Sequence, residues 1–146
     1  MKVHFREFDG WTDWNWVRNK VSIKRVEDTR GIVAVNAETG KLLGACLFDN
    51  FLHNSAQAAL VIENSMIIKH GFLDCMYQYL FDFCKKTYCY VLIAETNYKS
   101  IRICKRLGFV EQWRMPEAYS QGVDFILMQL HKDNWMGGKK QIKEAA

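Results

Sequence analysis

Between Ala56 and Thr96 the hydrophobic period changes twice, and that succession constrains the fold more than any single residue does. "AQAALVIE" (Ala56–Glu63) is an apolar run of strand length. From Gly71 to Lys86 the polar positions Asp74, Gln78 and Asp82 fall four apart on an otherwise apolar segment, which predicts a helix largely buried against a sheet. "YCYVLIAET" (Tyr88–Thr96) is a second apolar run, long and continuous enough for a strand covered on both faces. Strand, helix and strand in this order form a βαβ unit, so the two strands should run parallel.

The flanking segments add antiparallel partners. Val3–Phe8 alternates as a first strand, and Trp11, Trp14, Val17 and Val21 recur at helical spacing, with Trp11 and Trp14 expected in the core. Ile32–Ala37 and Leu42–Phe48 flank "ETGK", whose Gly40 suits a tight turn, and read as a hairpin. A helix over Tyr98–Leu107 precedes two closing strands, "VEQWRM" and "VDFILMQLHK", around the loop "PEAYSQG". The expected fold class is therefore α/β (α+β): a mixed, mostly antiparallel twisted sheet with a central parallel βαβ unit and flanking helices. Residues 1–135 should form one domain and 136–146 a disordered basic tail.

Composition excludes other classes. At 146 residues, 49% apolar and 25% charged, the chain suits one folded domain with a sizeable core. No apolar run approaches the roughly 20 residues that span a bilayer. "MKVHFREFDG" lacks the apolar stretch of a signal peptide, so a cytoplasmic location is expected and a membrane partner is not. Cys46, Cys75, Cys84, Cys89 and Cys104 contain no C-x-x-C pair, which argues against a disulfide framework and a zinc site; no metal is expected. The net charge is +4, but two of those charges come from the tail, so nucleic acid is disfavoured as a partner.

"NYKSIRICKRLGF" (Asn97–Phe109) has a complete local explanation. Asn97 is a good N-cap, Gly108 a C-terminal left-handed glycine, and Ile103 and Leu107 form the buried edge. Yet N-x-x-S followed at a set spacing by L-G-F fixes five residues, a coincidence on the order of one in a million per start position. It also directly follows a strand of a βαβ unit.

Here the chain resembles the Gcn5-related N-acetyltransferases, whose late motif is similar to N-x-x-[SA]-x-x-[LIV]-[YLC]-x-x-x-G-F. Asn97, Ser100, Ile103, Cys104, Gly108 and Phe109 match it, and the resemblance spans about Arg30 to Trp135. "DFILMQLHKDNW" looks like the closing strand of the branch that includes ribosomal-protein N-terminal acetyltransferases. The resemblance implies transfer of acetyl from acetyl-CoA to a primary amine of a protein N-terminus, a lysine or a small molecule. The alternative it allows is a catalytically degenerate module that keeps the fold, with or without CoA, to engage a protein partner. A homodimer is also allowed for.

The resemblance also implies where the cofactor sits. The family's phosphate loop, similar to [QR]-x-x-G-x-[GA], corresponds to "IKHGFL", in which only Gly71 matches. Backbone groups of Gly71, Phe72 and Leu73 would meet the pyrophosphate at a helix N-terminus, with Lys69 and His70 as nearby cations. Ile68 stands where Gln or Arg is usual. Leu73 stands where a small residue is usual, its side chain either beside the pyrophosphate path or turned into the core. Backbone groups from Val61 through Ile62 and Glu63 to Asn64 would pair with the pantetheine arm. Asn97 and Ser100 would line the cofactor from the second strand's end.

For proton transfer, Gln57 occupies the position of the family's basic Glu, and Glu63, on the same strand face, is the alternative carboxylate. Cys104 occupies the acid tyrosine's position and is either a thiol acid or a small core residue. Tyr98, Tyr119 and His53 are further candidates. Trp14, Trp16, Asp13, Glu117 and Asp124 are candidates for the acceptor side.

Overall fold

The computed structural model describes residues 1–21 and 28–137. Seven strands, β1 (Val3–Glu7), β2 (Arg30–Asn36), β3 (Leu42–Asp49), β4 (Ser55–Ile62), β5 (Tyr88–Ala94), β6 (Val110–Ser120) and β7 (Val123–His131), form one sheet in the order β1-β2-β3-β4-β5-β7-β6. Every neighbouring pair is antiparallel except β4 and β5, which are parallel as the βαβ reading requires.

The alternation of each strand sends one set of side chains to each face. On one face Ile32, Cys46, Phe48, Ala56, Ala58, Val91 and Ile93 pack with Ile67, Phe72, Leu73, Met76, Leu80, Cys104 and Leu107. The helices that supply the second group are α2 (Met66–Lys69), α3 (Phe72–Tyr77) with a π-helical continuation over Gln78–Phe83, and α4 (Tyr98–Leu107). On the opposite face α1 (Trp14–Val17) buries Val17 against Val33, Val35, Ala45 and Leu47.

Several local expectations are corrected. The first helix is a single turn, and Trp11 is 86% exposed rather than in the core. Asp13, a candidate for the acceptor side, is instead buried and gripped by both Arg6 guanidinium nitrogens at 2.8 and 2.9 Å. Burial pushes its carboxyl up, but Arg6 and the Asp9 backbone N–H together hold it below the ordinary carboxylate value. The helix after Gly71 widens to π geometry, where the Cys84 N–H reaches back five residues to the Tyr79 carbonyl. "PEAYSQG" is mostly strand: β6 continues to Ser120 and turns at Gly122. Pro116 is tolerated because β6 is an edge strand with a register break between Met115 and Ser120.

At the C-terminus the Met136 N–H still bonds the Leu107 carbonyl. The tail expected to be disordered lies outside the described residues from 138 onward. Among the described residues no helix is long and apolar enough to cross a membrane.

Candidate active site

The parallel ladder between β4 and β5 is only three residues long, pairing Ser55, Ala56 and Gln57 with Tyr88, Cys89 and Tyr90. Beyond it the strands part. β4 stays bonded to β3 and β5 to β7, so the edges that β4 and β5 turn toward each other carry backbone groups with no ladder partner among the described residues.

The ladder phase says which ones. The Glu63 N–H donates to the Leu43 carbonyl at 3.0 Å, so Gln57, Ala59, Val61 and Glu63 turn their backbone groups to β3, and Ala58, Leu60 and Ile62 turn theirs to the gap. By the same count, from the Glu95 N–H to the Asp124 carbonyl at 2.9 Å, Leu92 and Ala94 face the gap from β5. Of the positions expected to meet a pantetheine arm, Ile62 turns its backbone groups to the gap, and Val61 and Glu63 turn theirs to β3. The Asn64 N–H is also consumed by the Leu43 carbonyl, at 3.1 Å. Leu60, one residue before the expected stretch, also faces the gap, and only the pairing phase reveals it.

The gap opens into a cleft of about 450 Å³, a size suited to a small ligand or the end of a larger one. Gln57–Leu60 and Val91–Ala94 form its floor; Thr96, Asn97, Ser100, Ile103 and Cys104 form one wall; Lys20, Val21, Tyr119 and Phe125 form the other. This explains a discrepancy in β5. Its apolar run predicted cover on both faces, yet only Cys89, Val91 and Ile93 are buried, because the face carrying Leu92 lines the cleft.

Asn97 serves two purposes. Its Oδ1 accepts the Ser100 N–H at 3.3 Å as a helix cap, and the residue lines the cleft. At the other helix, Gly71 adopts φ +91°, and a Cβ built there would meet open space. Phe72 and Leu73 are fully buried, so Leu73 turns into the core and does not stand in the path of a phosphate. Their N–H groups belong to the first turn, with no carbonyl one turn earlier inside the helix. Lys69 is exposed, and His70 Nδ1 lies 2.8 Å from the Met66 carbonyl, so its ring is engaged with its own helix.

The proton-transfer candidates separate sharply. Cys104 lines the cleft but is buried, only 8% exposed, which pushes its thiol up to about 12. Donating to a thiolate of ordinary basicity from there is uphill by roughly 5 kcal/mol, so Cys104 is a core residue rather than an acid. Glu63 is exposed past the end of β4 and lies about 20 Å along the strand from Gln57, outside the cleft wall. Tyr98 is 70% exposed and also outside it. His53 sits before the start of β4, at the end remote from the gap. Tyr119 does line the cleft, its ring edge-on to Phe125 with centroids 5.3 Å apart. Glu117 and Asp124 close on their own hairpin: Asp124 accepts the Glu117 N–H at 2.9 Å and Glu117 accepts the Gly122 N–H at 2.6 Å.

One group went unnoticed in the sequence. Asp49 lies directly across the ladder from Gln57, and Gln57 is opposite Tyr90 on the next strand, so the three share the face toward α1. The Asn50 side chain donates to Gln57 Oε1 at 2.6 Å. Asp49 is 6% exposed and its Oδ1 has no hydrogen-bond partner among the described residues; burial and the charge of Asp28 push its carboxyl above the ordinary value. A strand-end Asp before "NFLHNS" reads locally as a turn residue, so no sequence signal marks it.

No family model matches the chain, and no curated protein matches it in sequence. Solved structures do share its fold. Spermidine/spermine N-acetyltransferase SpeG from Vibrio cholerae superposes with a TM-score of 0.72 at 16% identity, covering 99% of this chain and 98% of that one. The same organism's spermidine N-acetyltransferase in complex with CoA and spermine gives 0.72 at 16% identity over 92% and 98% of the two chains. A dodecameric form gives 0.70 at 17% identity over 90% and 94%. The fold implied by the "NYKSIRICKRLGF" motif, that of the Gcn5-related acetyltransferases, is the observed one. The likeness of the closing strand to the ribosomal-protein branch finds no support in these neighbours.

Proposed function

We propose that the protein is an acetyl-CoA-dependent N-acetyltransferase acting on a primary amine. The observation that carries this is the splay of β4 from β5 after three paired residues, which exposes backbone groups of Leu60, Ile62, Leu92 and Ala94 above a cleft walled by Asn97 and Ser100. A neighbour with this fold holds CoA together with an amine. The residues present suit the cofactor: the strand edges would pair with the amides of an extended arm, and the open first turn at Gly71, Phe72 and Leu73 would receive phosphate oxygens.

Bound acetyl-CoA supplies the thioester carbonyl that the amine attacks. The chain's own residues must keep the amine neutral and return a proton to the departing sulfur. Tyr119, the only phenol among the described cleft-lining residues, is the proton donor, and the Asn50–Gln57 pair orients the acceptor face. Asp49 lies behind Gln57 on the same face, its carboxyl raised above the ordinary value by burial. One neighbour is described as dodecameric, and further copies of this chain are proposed as its partners.

Thermal shift with acetyl-CoA tests the reading. At 100 times Kd the cofactor adds about 2.7 kcal/mol of stability, and absence of a shift at millimolar cofactor overturns it. Release of CoA thiol with an amine separates an enzyme from a module that binds CoA without turnover, the alternative that Gln57 favours because an amide takes no proton. In the same assay Cys104→Ala retains the rate within tenfold, as befits a core residue.

A further inference from the structure

The cleft has a charge character that its structural neighbours' substrates would not predict. Among the described lining residues the only charged side chain is Lys20, and none is a carboxylate. Lys20 makes no ion pair among the described residues; its Nζ lies 4.7 Å from the centroid of the Trp16 ring, on the wall carried by α1. The acids nearby are committed elsewhere: Asp13 to Arg6, Glu95 to Arg114, and Glu117 and Asp124 to their own hairpin. Asp49 is buried behind Gln57 and is not among the cleft-lining residues.

A polycationic amine entering this wall would lose hydration and meet the like charge of Lys20, with no carboxylate among the described lining residues. The pyrophosphate does not account for Lys20, because Gly71 and α3 serve the opposite face of the sheet. We propose that the acceptor is a small amine bearing an anionic group, of the aminocarboxylate class, whose carboxylate is held by Lys20 while its amine faces Gln57. Trp16 fixes the ammonium from below by cation–π attraction and leaves its outer side for the anion. The reaction is ordinary acetyl transfer: the amine nitrogen bonds to the acetyl carbon, the carbon–sulfur bond breaks, and the nitrogen's proton is balanced by the one returned to CoA. The assignment rests on the acetyl-transfer reading for its chemistry, and its test separates the two.

Calorimetric titration of glycine, β-alanine, γ-aminobutyrate, n-butylamine and spermidine into the protein provides that test, with CoA present at saturation if the thermal shift shows that it binds. Failure of the cofactor shift overturns the acetyl-transfer reading alone, because the titrations run without it. At least one aminocarboxylate should bind tenfold or more tightly than both n-butylamine and spermidine, and Lys20→Glu should reverse that order while Lys20→Arg keeps it. Tighter binding of spermidine, no binding by any aminocarboxylate, or an order unchanged in Lys20→Glu overturns the proposal. So does an acetyl adduct on Lys20 in intact-mass spectra after incubation with acetyl-CoA, which would make the lysine a substrate.

Discussion

α4 and α3 each follow one of the two splayed strands, and they treat their first-turn N–H groups in opposite ways. Asn97 closes α4 by accepting the Ser100 N–H, and Gly108 closes its other end at φ +108° with the Phe109 N–H on the Cys104 carbonyl. α3 starts at a left-handed Gly71 without a side-chain cap and with open space beside it. A helix whose end is satisfied by its own residues contributes to the fold. One left open can receive an anion.

Substitutions at the two glycines sharpen this contrast. The largest effect belongs to Gly108→Ala, since a Cβ there collides with the Asn134 carbonyl in a left-handed backbone; a loss of about 3 kcal/mol or more in denaturant unfolding is expected. Gly71→Ala, with equal backbone strain but free space, should lose only about 1 kcal/mol. If the two alanine variants lose equal stability, the distinction between the two ends fails. Gly71→Glu should fold like Gly71→Ala yet bind acetyl-CoA about a hundredfold more weakly, because a carboxylate replaces the space for phosphate. An unchanged Kd in calorimetry would show that α3 does not hold the cofactor.

Smaller effects probe the residues that join the two regions. Asn97→Ala should cost about 1 kcal/mol as a lost cap and also raise the KM for acetyl-CoA, whereas Asn97→Asp should restore the stability. Asp49→Asn gives the smallest change and the most distinctive sign. The folded state holds this carboxyl above its unfolded value, so the native protein binds the extra proton and loses stability as pH rises between the two. The Asn variant should therefore melt above the wild type at about pH 8, with the gap closing as the pH falls below about 4, where the carboxyl is protonated in both folded and unfolded states. A gap independent of pH would mean that Asp49 is already ionised without penalty.

Particular residues show how far the sequence reaches. Asn97, Ser100 and Gly108 were legible because caps and left-handed turns are decided within one turn of chain, and the βαβ order followed from hydrophobic period alone. Asp49 and Leu60 were not, because their meaning comes from a ladder: Asp49 matters for facing Gln57, and Leu60 for the phase that turns its amide toward the gap. Glu63 and Cys104 drew attention by residue type and position, and burial and distance removed them.

By itself the amino-acid order determined the strands, the closed helix after β5 and the parallel pairing, all of which depend on local propensity and on which faces are apolar. Tertiary structure alone decided where β4 and β5 part, that Leu73 points into the core, and that Lys20 is the one charged side chain among the described residues lining the cleft. Each of those depends on contacts between residues distant in the chain, and hydrophobic period carries no record of which edge of a strand is left unpaired.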